Sequence, residues 1–341
     1  MRDVAVVGFA KSSFATLEGV NDVELVMPVV AEVLDGLGLT IAGVGFTCSG
    51  SSDYLAGAPF SFVGALDAVG AWPPIEESHV EMDGAWALYE AWVRLQLGDV
   101  DTALVYCFGK SSLTNGLPEL LSLQLDPYVL APLWPDAISL AALQARAGLD
   151  AGIFTEEDMA AVVARTRGST PGDLREEEYF VAPLRRRDCP PLNDGAAAIV
   201  LAAGEVARRL VPRPAWIRGI DHRIETHSLG ARDLTMSPST HQCGIATGAV
   251  GDGAAPIDVA ELHAPFSHQE LILRSALSLG ESVSVNPSGG ALVANPVMVA
   301  GLDRIGEAAR RIWAAEADRA LAHATSGPCL QQNLVCVMEG E

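Results

Sequence analysis

The sequence predicts an α/β protein in which buried strands alternate with helices that cover them. Val4–Val7 is a short, mostly β-branched apolar run that ends at Gly8, as a buried strand does. Val23–Leu37 then carries apolar residues at helical spacing and stops at Gly38, with Pro28 as an interruption in its middle. A strand followed by a covering helix is the unit from which layered α/β folds are built.

The same pattern recurs further along the chain. Ala85–Leu97 has helical spacing, with Asp83 placed to cap its N-terminus and Gly98 placed to end it. Thr102–Cys107 follows as another apolar strand. This recurrence supports the prediction of a layered α/β architecture.

The stretch 110–187 has no regular pattern. Prolines interrupt short helical segments such as Glu156–Arg165. The prolines concerned are Pro127, Pro132, Pro135, Pro171 and Pro183. We interpret this stretch as a long insertion, or lid, that lies over the site.

Regular structure returns with a predicted strand, Ala196–Ala202, and a short helix, Glu205–Leu210. The break at Pro212–Pro214 is our candidate boundary between two halves, 1–211 with the insertion and 212–341. The second half is predicted to contain strands at Trp216–Ile220 and Asp258–Leu262, helices at about Gln269–Leu279 and Val299–Ala314, and a final apolar run at Asn333–Met338.

Composition narrows the class of function. Lys and Arg number 22 against 43 Asp and Glu, and the formal charge of -21 repels nucleic acid and anionic lipid head groups. No apolar run reaches the roughly 18 residues that a membrane span needs, and MRDVAVVGFA lacks the cationic region of a signal peptide. We therefore expect no nucleic-acid binding, no membrane span and a cytoplasmic location.

Metal-binding and disulfide patterns do not stand out. The six cysteines never occur as C-x-x-C, so they indicate neither a zinc site nor a small disulfide scaffold. His263 and His268 are not in H-E-x-x-H register. We expect no metal and interpret most cysteines as small buried apolar residues.

Five segments resemble, in order, motifs of thiolases of the sterol-carrier-protein-x and lipid-transfer type. They are Glu81–Leu88, Asp188–Ala198, Glu261–Ser267, Asn286–Gly290 and Thr325–Asn333. Asn286-Pro-Ser-Gly-Gly290 matches the NPSGG segment of that family, and Glu261-Leu-His-Ala-Pro-Phe-Ser267 resembles its E-V-H-D-C-F-S segment. The order and spacing agree along nearly the whole chain. The resemblance implies the thiolase fold, five αβαβα layers made of two similar βαβ-rich halves.

The resemblance breaks at the residues that carry thiolase chemistry. Aligned on Gly84, the nucleophilic cysteine of the family is matched by Glu81, and a carboxylate is a poor acyl carrier. The histidine of the Gly-His-Pro motif is matched by Asn295, which can donate to an oxyanion but cannot take up a proton. The second cysteine is matched by Thr325, with Cys329 four residues later. We therefore do not expect thiolysis through a covalent acyl-enzyme.

His263 is the leading candidate for a general acid or base, because the resemblance places it facing the acyl-CoA carbonyl and histidine titrates near neutral pH. A hydrogen-bonded structural histidine is the alternative. Glu81 has two possible roles, a structural residue that accepts several hydrogen bonds or an acid in the site. We expect its carboxylate to point toward His263 or Asn295. Asn295 is open between loop stabilisation and oxyanion donation.

The resemblance also implies positions that contact coenzyme A, which enters as part of the substrate. They are Gly289, Gly290, Ser326 and Gly327. No bound cofactor is expected.

Three functions stay open. The first is an acyl-CoA C–C lyase, or aldolase, in lipid or steroid side-chain degradation, which needs a base and enolate donors but no covalent carrier. The second is an inactive thiolase-like subunit that scaffolds an active paralogue or an OB-fold protein. The third is an acyl-CoA acyltransferase, that is, a thiolase using a different cysteine. The resemblance further implies a homodimer or such a heteromer, paired through Thr102–Cys107.

Overall fold

A computed structural model describes residues 2–113, 117–123, 125–170 and 177–341. Up to the insertion, the elements are β1 (Val4–Lys11), α1 (Asp22–Gly36), β2 (Phe46–Gly50), α2 (Asp53–Ala56), α3 (Ser61–Val69), β3 (Glu77–Val80), α4 (Gly84–Leu97) and β4 (Thr102–Lys110). The insertion contains α5 (Leu117–Leu123), α6 (Ala137–Asp150), α7 (Glu156–Arg167), β5 (Tyr179–Val181) and β6 (Leu184–Arg185).

The rest of the chain forms β7 (Asp194–Ala203), α8 (Gly204–Leu210), β8 (Ala215–Ile224), α9 (Pro238–Ala246), β9 (Val259–Leu262), α10 (Ser267–Ala276), β10 (Ser284–Val285), α11 (Ala300–Trp313), β11 (Arg319–Ser326) and β12 (Gln332–Glu339). Each strand and helix that we predicted from the sequence is present, with ends shifted by a few residues. No helix among these described residues is long and apolar enough to cross a membrane.

Helix α1 forms in spite of its internal proline because its N-terminus is well capped. The Asn21 side chain accepts a hydrogen bond from the Glu24 backbone N–H, and the Glu24 carboxylate accepts one from the Asn21 backbone N–H. Pro28 lies on the exposed side of the helix. The buried side, including Leu25 and Val29, packs on the sheet.

A ten-stranded sheet has the order β10-β9-β11-β12-β8-β1-β7-β4-β2-β3. Each half contributes five strands with the same order and directions, since β2 and β9 each lie parallel to both neighbours while β7 and β12 each lie antiparallel to both. The halves join where β1 pairs with β8, at Ala5 opposite Trp216 and Val6 opposite Ala215. The predicted fold of two similar halves is confirmed, while the division at 211/212 stays a prediction.

Alternating side chains along the strands create separate cores on the two faces of each half. In β4, Ala103, Val105 and Cys107 face a central core that also contains α4 and α11. The inner residues of β12 enter the same core. The opposite face of β4 packs on α1 and α3, and that of β12 packs on α10. The layers are therefore helix, sheet, central helices, sheet and helix.

The insertion packs against the second half. Phe154 and Met159 share a core with Leu273 of α10. Gln144 of α6 and the Leu140 carbonyl both reach Cys329, in the loop between β11 and β12. The insertion thus borders that loop. The predicted break at Pro171 lies outside the described residues.

Strand β4 cannot serve as the pairing strand of a dimer, so that prediction from Thr102–Cys107 is wrong. All nine of its residues are buried, and it is already hydrogen-bonded to β2 on one side and β7 on the other. The apolar character of the strand reflects its interior position, not an interface. In the described sheet, the edge next to α4 is formed by β3, which pairs only with β2.

One carboxylate caps both central helices. Asp83 Oδ1 accepts from the backbone N–H groups of Ala85 at 2.8 Å and Leu302 at 3.1 Å, and Oδ2 accepts from that of Gly301 at 2.9 Å. The side chain is 3% exposed. A Cβ at Gly301 would lie 2.4 Å from Asp83 Oδ1, so a glycine is required for this approach. The expected N-cap role of Asp83 is confirmed, and it extends to a second helix.

This arrangement predicts a pH-dependent stability. Burial raises the pKa of the Asp83 carboxyl from 3.8 to about 6, since the cost of desolvation exceeds the gain from the three N–H donors. The folded state then binds the proton more tightly than the unfolded state, so the contribution of Asp83 is greatest at low pH and is lost as pH rises through about 6. The free energy of unfolding of the wild type, relative to Asp83→Asn, should fall by about 1.4 kcal/mol from roughly pH 5 to pH 7.5.

Urea unfolding of both proteins at the two pH values measures this difference. Asp252→Asn, an exposed change of the same charge, serves as the control and should show no such trend. A difference between wild type and Asp83→Asn that is constant with pH would contradict the prediction.

Candidate active site

His263 and Asn295 form the centre of the candidate site. His263 follows β9, and its ring Nε2 lies 2.9 Å from Asn295 Oδ1. Its Nδ1 lies 3.3 Å from the backbone nitrogen of Thr325 in β11. A backbone N–H can only donate, so Nδ1 accepts and Nε2 carries the proton that is donated to Asn295. Asn295 Oδ1 is thereby held on the ring, which leaves the Asn295 amino group directed away from it.

The ring of His263 is buried and neutral at neutral pH. Burial lowers its pKa from 6.5 to about 4, and the positive charge of Arg304 adds to the effect. The lone pair of Nδ1 is occupied by the Thr325 N–H. The arrangement therefore offers the substrate an oriented amide more readily than a free imidazole base.

A buried ion network lies on the same side of β9 as His263. Glu261, two residues earlier, accepts from the Ser288 backbone N–H at 3.1 Å, from Ser288 Oγ at 2.6 Å and from Arg304 at 3.0 Å. Arg304 also pairs with Asp303, which pairs with Lys11 at 2.8 Å. Since each buried charge is paired, the network can hold β9 and the Ser288 loop against α11 without an uncompensated charge.

Asn286 stabilises the loop that follows β10. Its Oδ1 accepts from the Leu262 backbone N–H at 2.6 Å, and its Nδ2 donates to Glu270 at 2.9 Å. Gly289 and Gly290 next to it have φ values of +97° and +64°, which favour glycine. Through Asn286 and Ser288 the loop is hydrogen-bonded to Leu262 and Glu261, which precede His263 in the chain. The contact of these glycines with coenzyme A stays a prediction.

The end of β11 and the start of the loop after it hold the remaining predicted positions. Thr325 Oγ1 donates to the Gln332 carbonyl at 3.0 Å, so this hydroxyl is used inside the hairpin of β11 and β12. Ser326 ends β11, and Gly327 follows with a φ of +75°. Their contact with coenzyme A also stays a prediction.

None of the six cysteines is placed to act as a thiolate. All six are buried and unpaired by disulfides. Burial raises the pKa to about 12 for Cys48, Cys189, Cys243, Cys329 and Cys336, and raises that of Cys107 as well. Cys329, the cysteine of the predicted C-terminal segment, donates its thiol to the Leu140 carbonyl at 3.3 Å.

Glu81 lies just before α4 as expected, but its carboxylate does not point toward His263 or Asn295, so that prediction is wrong. Oε1 accepts from the Asp53 backbone N–H at 2.7 Å, and Oε2 lies 3.4 Å from His79 Nε2. The side chain is 43% exposed. The buried carboxylate at this helix start is Asp83, two residues later, because its position faces the N-terminus of α11.

His79 contacts Glu81 and is a candidate site residue that sequence reasoning missed. Its ring Nδ1 lies 3.0 Å from Ser49 Oγ, and the ring stacks on Phe62 with centroids 4.5 Å apart. The spacing of His79 from Glu81 could have predicted their contact, since residues two apart on a strand share a face. Glu77–Val80 was not predicted to be a strand, and this signal was therefore lost.

The turns that carry Glu81 and Asn295 contact each other. The Gly84 backbone N–H donates to the Met298 carbonyl at 3.0 Å. Gly84 is three positions after Glu81, and Met298 is three positions after Asn295. Together with the Asp83 cap, this bond holds the two turns at the N-termini of α4 and α11.

Sequence comparison finds thiolases among the relatives, although no family model matches the chain. An acetyl-CoA acetyltransferase of Methanothermobacter thermautotrophicus is 27% identical over 154 residues, 38% of this chain and 39% of that protein. A beta-ketoadipyl-CoA thiolase of Pseudomonas putida is 27% identical over 209 residues, 55% and 50% of the two chains. These two matches span half or less of each relative. An acetyl-CoA acetyltransferase of Methanocaldococcus jannaschii is 24% identical over 90% of this chain and 89% of that protein.

Comparison with solved structures extends the likeness to the whole chain. An Ltp2-ChsH2(DUF35) aldolase superposes with a TM-score of 0.78 at 18% identity, covering 99% of this chain and 98% of that one. Human mitochondrial 3-ketoacyl-CoA thiolase superposes with a TM-score of 0.79 at 14% identity, covering 100% and 99%. The chain therefore has the thiolase fold, and its fold relatives include both thiolases and an aldolase.

Proposed function

We propose that this protein cleaves a C–C bond of β-hydroxyacyl-CoA thioesters by retro-aldol chemistry, without a covalent acyl-enzyme. The observation that carries the proposal is the His263–Asn295 pair, which orients an amide donor at the residue that the sequence resemblance matches to the histidine of the Gly-His-Pro motif. Retro-aldol cleavage needs such a donor for the thioester enolate and does not need a thiolate. The aldolase among the structural neighbours supports the same interpretation.

Within this proposal, Asn295 donates to the enolate oxygen through Nδ2, and His263 orients Asn295. The sequence alone favours a general acid or base at His263. The occupied Nδ1 and the pKa of about 4 for the His263 ring support an orienting role instead. An amide aimed at a developing oxyanion is worth roughly 3 kcal/mol where it has been measured.

Thiolysis by an alternative cysteine has little support from the geometry, since all six thiols are buried and their pKa values are raised. The same proposal includes the replacement of the nucleophilic cysteine at position 81 and membership of the sterol-carrier-protein-x or lipid-transfer type. It also includes a role in lipid or steroid side-chain degradation and a cytoplasmic location.

A partner subunit is a second part of the proposal. The aldolase neighbour is named for two components, Ltp2 and ChsH2(DUF35). This supports a heteromer with an OB-fold protein or a thiolase paralogue, in which the chain is either the active subunit or a scaffold. If the chain instead forms a homodimer, β3 offers the sheet edge that β4 does not.

Substitutions at the pair separate an orienting role from a base. Asn295→Ala and His263→Ala should each lower C–C cleavage by roughly 10²-fold or more. His263→Gln keeps an N–H donor for Asn295 but cannot take up a proton near neutral pH, so we expect it to retain activity within roughly 10-fold of the wild type.

The measurement is release of shortened acyl-CoA from a panel of β-hydroxy and β-keto acyl-CoA esters, followed by mass spectrometry with and without candidate partners. His222→Gln, at a histidine of β8 outside the site, is the matched control. If His263→Gln loses as much activity as His263→Ala, the result would indicate that His263 acts as the general base. If the wild type releases no shortened acyl-CoA from any ester of the panel with any partner, the result would favour the function of an inactive scaffold subunit.

Cysteine chemistry gives a separate prediction. Cys329→Ala should leave C–C cleavage within roughly 3-fold of the wild type, because the buried thiol is not the acyl carrier. Iodoacetamide should label the folded protein far more slowly than the urea-unfolded protein, as counted by mass spectrometry. An iodoacetamide-sensitive thiolase activity that Cys329→Ala abolishes would overturn the proposed mechanism.

A further inference from the structure

Ser49, His79 and Glu81 form a hydrogen-bonded row beside the start of α4. β2 and β3 are parallel neighbours in which Ser49 lies directly opposite His79. Ser49 Oγ is 3.0 Å from His79 Nδ1, and His79 Nε2 is 3.4 Å from Glu81 Oε2. Strand pairing therefore brings together residues that are 30 positions apart in the chain.

The partners of His79 fix its tautomer. An ionised carboxylate only accepts hydrogen bonds, so Nε2 carries the proton that faces Glu81. Nδ1 is then an acceptor, and the Ser49 hydroxyl donates to it. Stacking on Phe62, with an interplanar angle of 12°, holds the ring plane. The Asp53 backbone N–H fixes the other oxygen of Glu81.

The accessible member of this row is the carboxylate. In serine hydrolases the row ends in an exposed hydroxyl, which is the nucleophile. Here Ser49 is 0% exposed, whereas the side chain of Glu81 is 43% exposed. The row therefore presents an oriented, exposed carboxylate beside the start of α4 and keeps its hydroxyl in the interior.

The residues around His263 do not supply a base for the proposed reaction. Asn295 has no basic atom, Thr325 Oγ1 is committed to the Gln332 carbonyl, and Nδ1 of His263 is occupied. A retro-aldol reaction must remove the proton of the β-hydroxyl. Glu81 occupies the position that aligns with the reacting cysteine of the family, and its turn contacts the turn of Asn295 through Gly84 and Met298.

We propose that Glu81 is the general base of the reaction and that His79, backed by Ser49, is its positioning residue. This inference rests on the proposed retro-aldol function. Each oxygen of Glu81 keeps a lone pair beyond the bond given to it here, so the carboxylate can accept a substrate proton without losing its support.

The step balances without a co-reactant. A Glu81 oxygen accepts the β-hydroxyl proton, the Cβ–O single bond becomes a carbonyl, and the bond between substrate Cα and Cβ breaks. Its electron pair passes into the thioester as an enolate, whose oxygen accepts a hydrogen bond from Asn295. Glu81 then returns the proton to the substrate Cα. The products are a ketone or aldehyde and a shortened acyl-CoA.

Kinetics of the full-length protein on the most rapidly cleaved β-hydroxyacyl-CoA ester test the assignment. Glu81→Gln, which is isosteric, should lower kcat by roughly 10²-fold or more with little change in KM. His79→Ala should lower kcat by roughly 10-fold, and His79→Gln, which keeps an N–H donor, should recover most of that loss. Glu76→Gln, a change of the same kind at the exposed partner of Arg94, is the matched control and should not affect kcat.

A second measurement does not depend on turnover. Nitrogen-15 NMR of the histidine rings, with the His79 signals assigned by their loss in His79→Gln, should show the Nε2–H tautomer for the neutral ring. Glu81→Gln should shift the His79 signals, whereas Glu76→Gln should not. An Nδ1–H tautomer in the wild type would overturn the positioning role.

The outcomes distinguish this inference from the proposed function. If the wild type cleaves the ester and Glu81→Gln cleaves it equally fast, the base is not Glu81, although retro-aldol chemistry stands. If the wild type cleaves no ester with any partner, the retro-aldol function fails and the base role fails with it. A drop in kcat that both His79→Gln and His79→Ala share equally would reject the hydrogen bond as the means of positioning.

Discussion

The shared cap at Asp83 is the constraint on which the rest of the structure depends. A single buried carboxylate accepts from the first N–H groups of both central helices, one from each half of the chain. Those N–H groups have no partner within their own helices, so an uncapped pair of buried helix ends would be costly. The cap fixes how closely α4 and α11 approach and therefore how the two halves of the sheet are set around them.

The candidate site is built on the same helix starts. The turn before α4 carries Glu81, the turn before α11 carries Asn295, and a backbone bond between Gly84 and Met298 joins them. His263 then reaches Asn295 from the end of β9. Since each group comes from the end of a rigid element, its position depends on the packing of the central layer more than on the conformation of a long loop.

The burial of the cysteines limits the chemistry that this chain can perform. A thiolase requires a thiolate, and in this chain every cysteine lies in the apolar interior, where the neutral thiol is favoured. The groups of the candidate site, with Glu81 as proposed, are an amide, a neutral imidazole and a carboxylate. Such a set suits proton transfer and enolate stabilisation, and it does not suit covalent acyl transfer.

The sequence by itself determined the elements with strong periodicity, such as α4 and β4. Local spacing and capping residues suffice for those. Only the tertiary structure decided that β4 is an interior strand, that Asp83 and not Glu81 is buried, and that His79 meets Ser49. Each of these depends on the order and register of strands distant in the chain, and no local window of sequence contains that order. The alanine-rich strand β11 was missed for the same reason, since it is specified by burial between β9 and β12.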